Sequence, residues 1–78
     1  MRRELRQALD TSYTHLREMD VPPTFFAGNY ALGLGIIMGG QACGGMTETE
    51  AAEERAHLGM LAALYEARAR TRSDLNTQ

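Results

Sequence analysis

From Val21 to Thr47 the chain carries no charged residue. The middle of this stretch reads Phe25-Phe26-Ala27-Gly28-Asn29-Tyr30-Ala31-Leu32-Gly33-Leu34-Gly35-Ile36-Ile37-Met38-Gly39-Gly40-Gln41-Ala42-Cys43. At a step of four, Ala27, Ala31, Gly35, Gly39 and Cys43 fall in line, and on a helix five such side chains stack along one narrow face. All five are small, so a second helix could approach this backbone closely. Phe26, Tyr30, Leu34, Ile37 and Met38, and then Phe25, Leu32 and Ile36, occupy the other faces. A helix apolar nearly all round is expected to be buried.

Glycine is the objection to a helix here, because each internal glycine costs about 0.5–1 kcal/mol against alanine. The segment can be helical only if packing offsets that loss. A strand over Leu32–Met38 is the rival, but period-two alternation is confined to Leu32-Gly33-Leu34-Gly35-Ile36 and no second strand exists to pair with it. The periodicity favours a helix.

Two elements flank it. Leu5, Leu9, Ser12/Tyr13, Leu16 and Met19 recur at steps of three and four, which predicts an amphipathic helix from Arg2 to about Met19. Arg6 and Asp10 are placed to pair across one turn. Asp20-Val21-Pro22-Pro23 stops this helix, since a residue before proline is pushed out of the α region, and Thr24 is the expected N-cap of the next. Gly44-Gly45 predicts the C-cap and turn. Beyond it, Thr47 and Glu50 form a capping box, Met46 and Ala51 occupy staple positions, and Glu48, Glu50, Glu53 and Glu54 crowd the first turns of a third helix, about Glu48 to Arg70. Arg68, Arg70 and Arg72 suit its C-terminal dipole. Its apolar face is Ala51, Leu58, Leu61, Ala62 and Tyr65. The junction Gly44-Gly45-Met46-Thr47-Glu48-Thr49-Glu50 resembles helix-hairpin starts of many small bacterial and phage proteins, and no function comes with that resemblance.

The expectation is an all-α chain of three helices. The first is amphipathic, the second is buried and Gly-rich, and the third forms a hairpin with the second. Residues 1–72 make one helical domain and 73–78 a flexible polar tail. A chain of 78 residues buries a small core and needs a staple. Cys43 is the sole cysteine, so no internal disulfide can supply it, and no Cys/His cluster has structural-zinc spacing. The remaining staple is self-association, so a homodimer bundle is expected, with Ala27, Ala31, Gly35, Gly39 and Cys43 as the packing or oligomer face.

Candidate chemistry is thin. Glu54-Arg55-Ala56-His57 is Glu-x-x-His on a helix, so Glu54 and His57 are candidate metal or small-ligand residues, but a carboxylate-bridged centre needs more ligands than one such motif brings. Cys43 has no marked activating neighbour, although His15 or His57 could serve as base. The glycines lack the strand and the Lys-Ser/Thr of phosphate loops. No catalytic residue and no cofactor are assigned. Arg2, Arg3 and Arg6, and separately Arg68, Arg70 and Arg72, allow a DNA-binding reading that four glutamates after the Gly-Gly turn oppose. Net charge is −2 and every basic residue is Arg. The uncharged stretch is long enough to span a bilayer, but Asn29, Gln41, seven glycines and two prolines oppose that reading. With no apolar leader at the N-terminus, a cytoplasmic protein is expected. Phe25 and Phe26 are read as core, with partner contact as the alternative, and Arg2, Arg3 and Arg6 join them as partner-binding candidates.

The functional expectation is a non-enzymatic protein that self-associates and binds one protein partner by occlusion, as a bacterial or phage-encoded regulator or inhibitor. Membrane and nucleic-acid partners are not expected.

Overall fold

The first helix begins one residue later than the periodicity predicts, with Arg2 as its N-cap, and ends about three residues sooner. In the computed structural model, which describes residues 1–76, α1 spans Arg3–Leu16, α2 spans Pro23–Ala42 and α3 spans Glu48–Asn76. No strand occurs among the described residues. The Gly-rich segment is therefore helical throughout. α1 packs on α2, α2 on α3, and α1 more lightly on α3. The bundle is elongated, 51 × 18 × 15 Å.

The core follows from the stripes of α1 and α3. Leu9, Tyr13 and Leu16 of α1 meet Ala51, Leu58, Leu61 and Tyr65 of α3, all buried. From α2 the core takes Phe26 and Ile37, with Gly33 and Gly40 buried beside them. These positions recur at three, four and seven, so one strip of α2 faces inward. Gly33 and Gly40 let that strip sit close: a Cβ on Gly33 would lie 3.3 Å from Leu58 Cδ1, and one on Gly40 3.0 Å from Leu5 Cδ1.

The turns carry the local chemistry. α2 starts one residue before the expected cap, with Pro22 as N-cap and Pro23 at the first helical position. Proline fits there because its missing N–H belongs to the unsatisfied set and its φ is already helical; Thr24 falls inside the first turn. At the other end Gly44 has φ +77°. Its N–H donates to Gln41 O at 3.2 Å while the Gly45 N–H donates to Gly40 O at 2.9 Å, the paired bonds of a Schellman motif. The capping box of α3 forms as its sequence requires: Thr47 N–H donates to Glu50 Oε1 at 2.9 Å and Glu50 N–H to Thr47 Oγ1 at 3.1 Å. Met46 and Ala51 are both buried beneath it.

α3 is longer than expected. No Gly or Pro follows Arg70, and the helix continues to Asn76. The segment assigned to a tail, 73–78, is thus helical as far as Asn76, and residues 77–78 lie outside the described residues. Arg68 and Arg72 consequently sit before the last turn, where they reach across to Asp20 at 3.4 and 2.8 Å instead of serving the helix end.

Candidate interaction surface

The line of small residues expected as a packing or oligomer face lies on the outside of the hairpin. Ala27, Ala31, Gly35, Gly39 and Cys43 are all exposed, and a Cβ built on Gly28, Gly35 or Gly39 meets nothing within 4 Å. The hairpin is closed instead by the opposite strip, Phe26, Gly33, Ile37 and Gly40. With no polar side to α2, the phase of burial is set by what α1 and α3 offer, and they offer Leu58, Ser12 and Leu5 to the glycines at 33 and 40.

The result is a helix covered on one side only. Its outward half carries Phe25, Leu32 and Met38 at 65%, 58% and 58% exposure among the small residues. Large apolar side chains set between open glycines form an uncharged surface along the whole helix. α3 adds Met60 and Leu64, each 52% exposed, on its own outward side. Exposed apolar side chains gathered on one helix face make it the candidate interaction surface of this chain.

The two phenylalanines part company. Phe26 is buried and stacks on Tyr65, ring centroids 4.0 Å apart and planes 13° from parallel. Phe25 turns outward. Tyr65 is held from the other end, its hydroxyl donating to Val21 O at 2.7 Å, so the stacked pair fixes the 17–22 turn against α3. Of the two partner-contact candidates, Phe25 alone keeps its surface.

The polar candidates are absorbed in a knot between α1 and α3. Arg6 grips Glu54 with two parallel bonds, Nη1 to Oε2 at 3.0 Å and Nη2 to Oε1 at 3.1 Å, and also pairs with Asp10 at 2.9 Å, the turn-spaced pair that the sequence predicts. The Tyr13 hydroxyl donates to Glu54 Oε1 at 2.8 Å, and the His57 ring lies against the Tyr13 ring at 4.3 Å. The hydrogen bonds from Arg6 hold the Glu54 carboxyl below its ordinary value, and the same contact raises Arg6. Burial, then the Glu54 carboxylate, pushes the Tyr13 phenol upward. Both Glu54 oxygens are thus engaged by α1, and His57 is turned onto an aromatic ring. The Glu-x-x-His spacing builds an interhelix tie, and no group of three or more potential metal-binding side chains gathers among the described residues. One signal for this tie was present in the sequence: a tyrosine on the buried stripe of α1 needs a hydrogen-bond partner for its hydroxyl.

The basic clusters lie at opposite ends of the bundle. Arg2 packs its aliphatic stem over Gly45, 3.4 Å from a Cβ there, and its N–H donates to Gly45 O at 2.9 Å. The N-terminal ammonium of Met1 reaches Glu50 Oε2 at 2.8 Å, a contact that holds the Glu50 carboxyl at about 2. Arg3 is exposed. Arg6, Arg68 and Arg72 are committed to carboxylates. A groove of about 490 Å³ runs between the 17–22 turn and α3, lined by Asp20, Pro22, Pro23, Tyr65 and Arg72 among others, but those polar groups already bond one another or backbone. Cys43, exposed at the C-cap of α2, directs its thiol to Gly40 O at 3.5 Å. No described helix is long and apolar enough to cross a membrane.

Comparison with known protein families, curated proteins and solved structures finds no match to this chain. The fold and its uncovered face define the class: an all-α three-helix chain with an unpartnered apolar helix surface.

Proposed function

We propose that this chain is a small, non-enzymatic helical protein that self-associates and acts by binding another protein, occluding part of its surface. The observation that carries the reading is the uncharged, uncovered half of α2, where Phe25, Leu32 and Met38 stand exposed around open glycines. In an isolated chain, Gly28, Gly35 and Gly39 each forfeit about 0.5–1 kcal/mol against alanine with no neighbour to require their smallness. A second helix laid on this face gives the glycines a use and the exposed side chains a cover. Partner contact then falls to groups that remain outward elsewhere: Met60 and Leu64 on α3, and Arg3 at the end of α1.

Light scattering on a sizing column tests the reading. The wild-type chain should run at a multiple of its 8.6 kDa mass. Gly35→Leu should run as a monomer with unchanged helical circular dichroism, because the substituted side chain points into open space within the protomer. A wild-type monomer at tens of micromolar would sink the self-association. For the partner, a tagged wild-type chain and a Met60→Asp/Leu64→Asp variant are compared in pull-downs, and equal recovery of every bound protein would remove α3 from the binding surface.

A further inference from the structure

We propose that the groove between the 17–22 turn and α3 binds a small amphipathic carboxylic acid. Arg72 and Arg68 receive its carboxylate, and Pro22, Pro23 and Ala69 receive its apolar body. The proposal goes beyond the protein-binding reading and does not depend on self-association. The groove holds about 490 Å³, within the roughly 300–1,000 Å³ usual for small-molecule sites. Val21, Pro22, Pro23, Tyr65 and Ala69 are its apolar lining, and Asp20, Arg72 and Ser73 its polar lining. That lining is set before a ligand arrives. The Tyr65 hydroxyl is tied to Val21 O at 2.7 Å and its ring is stacked on Phe26, while the two prolines fix their own φ.

Charge selects the ligand. Arg68 and Arg72 stand one helical turn apart, and both reach the same atom, Asp20 Oδ1, at 3.4 and 2.8 Å. A guanidinium carries five N–H donors in a planar fork. Arg72 commits one nitrogen, Nη2, to Asp20 and to Met19 O at 3.4 Å, and Arg68 commits its Nη2 to Asp20 at 3.4 Å. Among the described side chains, two positive charges therefore meet one negative charge at this end of the groove. A surplus of one charge suits a monoanion, and the planar fork suits a carboxylate. Asp20 is 78% exposed, so little besides the two arginines holds its carboxylate. It occupies the place a ligand carboxylate would take and competes with one.

Titration of the full chain, followed through its amide chemical shifts, tests the site. The probe is phenylacetate, with acetate as the charge without the body and phenylacetamide as the body without the charge. Phenylacetate should shift the amides of Asp20, Val21, Ala69, Arg72 and Ser73 saturably, and neither control should match its affinity. Arg72→Gln should weaken binding about tenfold, as expected for the loss of a charged hydrogen-bonding partner. Asp20→Asn should tighten it severalfold by removing the competing carboxylate, a gain that a surface ion pair without a ligand does not predict. Arg68→Gln keeps the Arg72–Asp20 bond and the Tyr65 tie and should weaken binding less; it carries the test if circular dichroism shows that Arg72→Gln loosens the fold. No saturable shift with phenylacetate up to about 10 mM, ten times the ~1 mM dissociation constant of a weak site, overturns the proposal. So do shifts that phenylacetamide reproduces at equal affinity, which would put the ring on apolar surface without help from charge. An Asp20→Asn chain that binds no more tightly than wild type also overturns it.

Discussion

Glu54 is the residue on which the α1–α3 contact turns. It lies 41 positions from Tyr13 and 48 from Arg6, so no local spacing announces the cluster, whereas the Thr47/Glu50 box, three residues apart, is fully legible. That contrast is general: bonds within one turn leave a pattern in the chain, and bonds across the fold leave only a polar residue on an apolar stripe. Because Arg6 depresses the Glu54 carboxyl below its ordinary value of 4.5, the ionised form is favoured by folding. Its contribution is fully present above that value and is lost as pH falls through the lower folded value. Glu54→Gln should lower stability at neutral pH by about 1–2 kcal/mol, the range for charged hydrogen bonds discounted for the partial exposure of Arg6. It should also flatten the loss of stability below pH 4.5, leaving the limb that Glu50 supplies. Urea titrations of wild type and variant from pH 2 to 7 measure both, and parallel curves would show that Glu54 contributes nothing through its charge.

Among the elements, α2 is the one whose existence the sequence predicts and whose orientation it does not. Its boundaries follow from prolines at one end and Gly44-Gly45 at the other. The inward side is unmarked, since a helix without a charged residue has no polar face to turn toward water. The small-residue line was the natural candidate for close packing and lies on the exposed side. The adjacent phenylalanines make that phase measurable. Phe26→Ala removes a ring stacked on Tyr65 and should cost about 3–4 kcal/mol, in the range for buried aromatic truncation. Phe25→Ala should change protomer stability by no more than about 0.5 kcal/mol. Chemical denaturation under conditions where the chain is monomeric compares them, and equal losses would mean that both rings are core. The length of α3 was partly legible: its start was fixed by the capping box, but its end had no breaker to mark it.

For the whole molecule, helix formation and packing are inseparable. α2 holds five glycines in twenty residues, and a helix so poor in intrinsic propensity persists only while its neighbours hold it. A peptide spanning 23–42 should show no helical circular dichroism in water at 25 °C, and a helical spectrum would mean that the segment does not depend on α1 and α3. The self-association expected from chain length remains a proposal, now attached to a defined face.

One arrangement has a consequence for how such a bundle opens. The 17–22 turn is fastened to α3 through Tyr65 and Arg72, and the start of α1 is fastened to the 43–47 turn through Arg2 and Gly45. Each connection is therefore latched by the helix that does not belong to it. No helix can peel away without releasing a latch at one of the bundle's ends, and releasing it exposes the core. The three helices are therefore expected to open as a single cooperative foldon, and native-state hydrogen exchange checks it: amides at the centre of α1, α2 and α3 should share one opening free energy, whereas a distinctly lower value for one helix would show that it opens alone.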